Sequence, residues 1–293
     1  MISQRDAFFG RLFERAREDK DIILVSADMG APSLDQWREV LPNQYINVGI
    51  AEANAVGIAT GLAHVGKKVY TYAIAPFMSL RCYEQIKLGP CVHNLPITLI
   101  GVGAGFSYED SGPTHHTLED LAIMSTLPNM RVITVTDSVM ASMLAAIDEP
   151  NPRYIRLDRA GREPFYTDTA DFAKGYHIVQ RRDTGPIVFT QGDLVFSFIH
   201  EPCTLVDLFS VPWDYSQLFA DLDNLTISLD NYLLVEENFG SPLYERLTKN
   251  FGTPPTLHLH VDRRRGYCYE YGGREQLRKV YGLDENSLAS LLE

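Results

Sequence analysis

A single carboxylate stands in a run of small and apolar residues, Tyr45-Ile46-Asn47-Val48-Gly49-Ile50-Ala51-Glu52-Ala53-Asn54-Ala55-Val56-Gly57-Ile58-Ala59-Thr60-Gly61-Leu62-Ala63. From residue 50 to 63 small side chains fall on every face, the composition of a helix packed all round. Asn47 and Gly49 predict the turn that leads into it. Glu52 then sits in the first helical turn, where the helix N-terminus favours its anion and burial favours the neutral acid. Two opposed effects make a poised proton site. The alternative is a first-turn Glu that satisfies free backbone N–H groups. A second stretch, Tyr108-Glu109-Asp110-Ser111-Gly112-Pro113-Thr114-His115-His116-Thr117-Leu118-Glu119-Asp120-Leu121-Ala122, gathers two histidines with acids and hydroxyls, and Leu127-Pro128-Asn129-Met130 follows it.

Three motifs in order, Gly49-Ile50-Ala51-Glu52, Gly112-Pro113-Thr114-His115 and Pro128-Asn129-Met130, resemble the pyrimidine-binding domain of the transketolase family of thiamine diphosphate enzymes. The resemblance runs from about Arg5 to Arg159, and more faintly beyond. It implies thiamine diphosphate as cofactor, with Glu52 as the carboxylate that shares a proton with the pyrimidine ring nitrogen. Phe77 matches the family's aromatic stacking surface, although a core Phe would read the same way. Tyr83 and Ile50 are further cofactor-contacting positions by the same resemblance. His115 matches the donor-substrate histidine, whose role is to hydrogen-bond the ketose oxygen and help move protons. His116 replaces a common Gln, and either catalysis or a helix-start His facing the partner would suit it.

Recognition of the sugar departs from the pattern. Ser111 occupies the place of the family's Asp, with Asp110 one residue earlier, so a different ketose donor is expected. Arg5, Ser33 and Arg159 fall at the phosphate-contacting positions, and an Arg pair with a hydroxyl is a reasonable anion clamp. Gly103 stands where that cluster usually has a histidine. The family supplies its metal site through a Gly-Asp-Gly motif and a downstream Asn; the nearest match, Gly192-Asp193-Leu194, lies in the wrong domain. Gly101-Val102-Gly103-Ala104-Gly105 is not a dinucleotide fingerprint, which needs a different spacing and a capped helix after it. The resemblance therefore implies half an enzyme. A separate N-terminal diphosphate-binding subunit would hold Mg2+ or Ca2+, in an α2β2 heterotetramer acting on sugar phosphates.

The elements that must position these residues follow from hydrophobic periodicity. Residues 6–18 carry an amphipathic helix, and Ile22-Ile23-Leu24-Val25 is a short apolar run typical of a buried parallel strand. Strand patterns at 69–73, 97–102 and 131–135 alternate with helix patterns at 50–64, 78–92, 117–126 and 138–148. Asp137-Ser138 caps the last of these helices, and a closing strand runs over 154–157. That rhythm predicts a doubly wound parallel sheet. Residues 1–162 form this domain, 163–174 have linker composition, and 175–293 form a smaller α/β unit that resembles the transketolase C-terminal domain. Its strands are expected at 175–180, 187–190, 203–207, 233–236 and 256–261, its helices near 214–221, 241–250 and 273–281. Its expected role is assembly.

Composition agrees with two domains. The chain has 293 residues, 45% of them hydrophobic, enough for a substantial core. A formal net charge of −12 makes nucleic acid or an anionic membrane surface a poor partner, since both are bound through excess Lys and Arg. Cys82, Cys91, Cys203 and Cys268 are widely spaced, which indicates neither a disulfide framework nor a zinc site and fits a reducing cytoplasm. The N-terminal stretch carries Arg and Glu throughout Arg11 to Lys20 and shows no long apolar core, so it does not read as a signal peptide or membrane anchor. Three functions compete: a transketolase subunit; a subunit of a deoxyxylulose phosphate synthase-like or 2-oxo acid dehydrogenase beta-like enzyme, the latter opposed by the Gly112–His116 loop; and a non-catalytic partner-binding subunit. Glu52, Phe77 and His115 together speak against the last.

Overall fold

The computed structural model describes residues 1–223 and 231–292. By contacts the chain forms two compact units, one of residues 1–104 with 123–170, the other of 105–122 with 171–293. The loop bearing His115 therefore groups with the C-terminal unit, although it interrupts the chain of the first.

The first unit runs α1 (Gln4–Glu18), β1 (Ile22–Ser26), α2 (Pro32–Val40), β2 (Tyr45–Asn47), α3 (Glu52–His64), β3 (Lys68–Ile74), α4 (Ala75–Ser79), α5 (Tyr83–Ile86), a π-helical turn Lys87–Cys91 and β4 (Ile97–Val102). After α6 (Asp120–Met124) it continues with β5 (Arg131–Thr134), α7 (Ser138–Ala145) and β6 (Arg153–Leu157). These strands are parallel and lie in the order β5-β6-β4-β3-β1-β2. Both β1 and β4 are buried along their whole length, as apolar runs in a doubly covered sheet must be. Helix α1 opens with Ser3 accepting from the Asp6 amide and buries Phe8, Phe9, Leu12 and Phe13. Phe9 meets Tyr72 of β3 at 4.7 Å and Phe13 meets Trp37 of α2 at 5.9 Å, edge to face. Gln4 pins the start of α1 to the sheet, donating to the Thr136 carbonyl and accepting from the Asp158 amide.

Several local boundaries differ from the sequence expectation. Helix α2 and strand β2 have no counterpart in it. Only Leu34 and Trp37 of α2 are buried, too thin a stripe to show as periodicity, and β2 is three residues long and half exposed. The continuous helix expected over 78–92 is instead α4, α5 and the π-helical turn. Gly89 there lies close to Thr60 of α3, where a Cβ would collide, and Pro90 removes a backbone donor. The helix expected over 117–126 is one short turn, α6. Asp137 caps α7 by accepting from the Met140 amide at 2.8 Å.

The second unit contains β7 (His177–Gln180), β8 (Ile187–Thr190), a 3₁₀ turn Gly192–Ser197, β9 (Thr204–Asp207), β10 (Ser210–Val211), α8 (Tyr215–Asp223), β11 (Tyr232–Val235), α9 (Pro242–Phe251), β12 (Leu257–Leu259), α10 (Arg274–Tyr281) and α11 (Glu285–Ala289). Its sheet has the order β12-β11-β8-β9-β7, parallel except for β7. Ser241 caps α9, and Gly252 and Gly282 end α9 and α10 in the left-handed conformation. Arg263-Arg264-Arg265 forms an exposed 3₁₀ turn in which Arg264 pairs with Asp262. Among the described residues no helix is long and apolar enough to cross a membrane.

Candidate functional site

In the first unit the strand order reverses between β1 and β3, since β1 leads to β2 on one side and β3 lies on the other. Open α/β sheets bind ligands beyond the carboxyl ends of strands at such a switch point. Three expected site residues follow those ends: Ser33 after β1, Glu52 after β2 and Phe77 after β3.

Glu52 is the first residue of α3. The Asn47 side chain accepts from the Gly49 amide, and Gly49 takes φ +73°, so the chain turns sharply into the helix as Asn47 and Gly49 predicted. The Glu52 residue is 2% exposed. Its carboxylate does not cap its own helix; among the described residues it accepts from Arg81 Nη1 at 2.7 Å. Arg81 is half exposed, and its guanidinium also lies over the Phe77 ring, 4.3 Å from the centroid. A basic, planar, donor-bearing group thus covers the two residues expected to bind a nitrogen heterocycle. Cys82 completes the surround. Its thiol donates to the Phe77 carbonyl at 3.2 Å and is pushed up to about 12, by burial first and the Glu52 charge second. Tyr83 opens α5 and shares a 2.6 Å hydrogen bond with Thr126, while Ile50 is strongly exposed in the turn before α3.

Arg5 and Ser33 come together around a residue the sequence did not single out, Asp6. Arg5 Nε donates to Asp6 at 3.1 Å and Ser3 Oγ donates to it at 2.7 Å. Among the described residues Ser33 Oγ makes no hydrogen bond of standard geometry, yet it stands close enough to help keep Asp6 ionised. Burial pushes the Asp6 carboxyl up, and Arg5 with these hydroxyls outweighs it, holding Asp6 below the usual carboxylate range. Arg159 is exposed just past β6. The backbone on either side of it is tied to the same helix start: the Asp158 amide donates to Gln4, and Gly161 lies against Ile2.

In the second unit, His115 is half-buried, with Nδ1 2.9 Å from Thr114 Oγ1 and its ring 5.8 Å from that of Tyr108. Ser111 Oγ donates to Asp110, which is exposed, at 3.1 Å. His116 lies inside the unit. It is 4% exposed, packs edge-on to Phe106 at 5.1 Å, and among the described residues neither ring nitrogen has a hydrogen-bond partner. Burial first, then the neighbouring His115, pushes its imidazole below the ordinary value, against the pull of Glu237.

Sequence reasoning missed Arg81, although its spacing of four from Phe77 is the spacing at which helical side chains meet. It also missed Glu237, Arg274 and Arg278, whose pairing spans 37 and 41 residues and leaves no local signal. Among the described residues no group of three or more His, Cys, Asp or Glu could hold a metal ion.

Comparison with known proteins now adds to this geometry. The family model of the transketolase pyrimidine-binding domain matches residues 1–161. Over 200 residues the chain is 36% identical to one of the subunits of the apulose-4-phosphate transketolase of Phocaeicola vulgatus, a match spanning 67% of this chain and 64% of that one. The like-named apulose-4-phosphate transketolase chain of Actinobacillus succinogenes is 28% identical over 296 residues, covering 96% of this chain and 94% of the relative. A solved structure described as a split gene transketolase, inactive beta4 tetramer, superposes with a TM-score of 0.81 over 99% of this chain and 96% of its own, at 23% identity, a likeness of fold. The chain belongs to the transketolase family, whose pyrimidine-binding domain occupies its residues 1–161.

Proposed function

We propose that this chain is one subunit of a split, thiamine diphosphate-dependent transketolase that transfers a two-carbon ketol unit between sugar phosphates. A separate diphosphate-binding subunit completes the enzyme and holds Mg2+ or Ca2+, two copies of each forming the assembly. The observation that carries this is Glu52, a buried carboxylate at the head of α3 that does not cap its own helix and instead pairs with Arg81, whose guanidinium covers Phe77. The names of the relatives, which are transketolase subunits, agree with it.

The residues fit the pyrimidine end of the cofactor. A buried acid beside an aromatic face suits a planar heterocycle that stacks and shares a proton, and Arg81, a planar cation with N–H donors, already satisfies both surfaces. When bound, thiamine diphosphate supplies a nucleophilic carbon able to take a two-carbon unit from a ketose and pass it to an aldose. Glu52 holds the proton shared with the pyrimidine ring nitrogen, and Phe77 gives the ring its flat wall. Tyr83 and Ile50 flank that end. Arg81 has to swing aside first, because its contacts use the same carboxylate and the same ring face. His115 hydrogen-bonds the ketose oxygen, with Asp110 and Ser111 beside it facing the sugar hydroxyls. Arg5, Ser33 and Arg159 hold the substrate phosphate, for which Arg5 must exchange part of its pairing with Asp6.

Proton–deuterium exchange at the thiazolium carbon tests this in the complex reconstituted with its diphosphate-binding subunit. Glu52→Gln keeps the shape and a hydrogen-bonding group but removes the acid. At matched cofactor saturation, exchange should slow by roughly a hundredfold to ten-thousandfold while folding survives. A variant within a few-fold of wild type would mean that Glu52 is an ordinary first-turn residue.

A further inference from the structure

Both legs of the loop 105–122 are held by one short segment of the C-terminal unit, the residues just past β11. The Phe106 amide donates to Glu237 Oε2 at 3.3 Å, and the Phe239 amide donates to the Leu118 carbonyl at 2.8 Å. Between these two fixed points the loop closes on itself. Gly105 and Thr117 exchange backbone hydrogen bonds of 3.0 and 2.9 Å, and His115 lies within the span so enclosed. Gly105 takes φ +59°, and a Cβ there would run into the Glu237 carboxylate, so the close approach needs glycine.

Glu237 is itself clamped. Arg278 Nε donates to its Oε1 at 2.7 Å, and Arg274 reaches both oxygens at 3.2 and 2.5 Å. Arg278, wholly buried, also pairs with Asp193 at 2.9 Å in the turn after β8. Two arginines thus face two buried acids, with the partly exposed Glu275 a third acid 3.0 Å from Arg278, in a place where apolar side chains of the same volume would stabilise the fold at least as well. What such a cluster supplies is fixed direction: Arg278 and Arg274 together hold Oε1, and Oε2, which also accepts from Arg274, is aimed at the loop amide. Farther along α10, Tyr281 stacks on Phe106 at 5.7 Å, so the same helix that aims the carboxylate also backs the loop.

We propose that Glu237 is a positioning residue for the donor-binding loop, and that the C-terminal domain sets where His115 stands. This rests on the function proposed above for its donor half. The tether itself does not depend on that function.

Amide hydrogen exchange and steady-state kinetics of the reconstituted complex, compared between wild type and Glu237→Gln, test the two parts separately. The Gln keeps the shape but loses the charge that Arg274 and Arg278 orient. Exchange in 105–122 should quicken about tenfold or more, while strands β8, β9 and β11 keep their protection. The ketose KM should rise about tenfold with kcat changed less, and thiamine diphosphate affinity, set in the other unit, should stay within about twofold. Unchanged exchange in 105–122 overturns the proposal, as does a loss of protection shared equally by those three strands, or quickened exchange with an unmoved ketose KM. If Glu237→Gln does not fold, Tyr281→Leu decides, since it leaves the ion cluster intact: it should quicken 105–122 exchange a few-fold, and no change there overturns the proposal. A wild-type complex that turns over no ketose counts against the transketolase function, and exchange alone then decides the tether.

Discussion

Arg81→Met should tighten thiamine diphosphate binding, because the wild-type side chain occupies what the cofactor needs. The magnitude follows from two contacts. A hydrogen bond between charged groups contributes about 1.5–3 kcal/mol, and with Arg81 47% exposed against a Glu52 that is 2% exposed, solvent screening reduces it to about 1–1.5 kcal/mol. The guanidinium over Phe77 adds about 0.5–1 kcal/mol. Together about 2 kcal/mol must be given up when Arg81 leaves, and at about 1.4 kcal/mol per decade that is roughly thirtyfold in Kd. Met keeps the length and flexibility of the stem without the charge. Calorimetric titration of the complex with thiamine diphosphate and Mg2+ reads the difference directly. A Kd that is unchanged, or that weakens, refutes the competition and makes Arg81 part of the bound state instead.

Two other outcomes follow from contacts already described. Ser111→Asp restores the acid usual at that position beside His115, and across a panel of ketose phosphates it should raise kcat/KM for xylulose 5-phosphate relative to the donor that wild type prefers; xylulose 5-phosphate being the best wild-type donor would show that Ser111 is no specificity change. Burial pushes the Glu237 carboxyl up, but Arg274 and Arg278 overcome this and hold it at about 2, against an ordinary 4.5. A depressed acid contributes stability above its unfolded pKa and loses it as pH falls through the folded one, here on the order of 3 kcal/mol between about pH 4.5 and 2. Denaturant titrations across that window should show a steeper decline for wild type than for Glu237→Gln, and parallel declines would contradict the pairing.

The layered α/β architecture was legible because β1 and β4 are short apolar runs buried on both faces, a pattern that survives in sequence. Glu52 stood out for a related reason, as one acid among small residues. What stayed hidden depends on tertiary placement. Helix α2 offers only Leu34 and Trp37 to the core, so its stripe is too sparse to read. Arg81 reaches Glu52 only because the end of α4 comes beside the start of α3, and 29 residues of chain separate them. The grouping of 105–122 with the C-terminal unit is equally invisible, since the carboxylate that holds Phe106 lies 131 residues away. Where periodicity did mislead, at 78–92, glycine and proline had already marked the break through Gly89 and Pro90.

The clamp on the His115 loop also sets an order of events on the ribosome. Phe106 is made early, but the carboxylate that receives its amide takes its direction from Arg274 and Arg278, near the other end of the chain. About 170 residues must be added after Phe106 before Arg278 exists, which at roughly 5–20 residues per second takes on the order of 10–30 s. The six parallel strands of the first unit are complete in sequence by Leu157, long before that. The nascent chain therefore carries these six strands with one unanchored loop, and the segment bearing His115 is among the last parts of the protein to acquire its place.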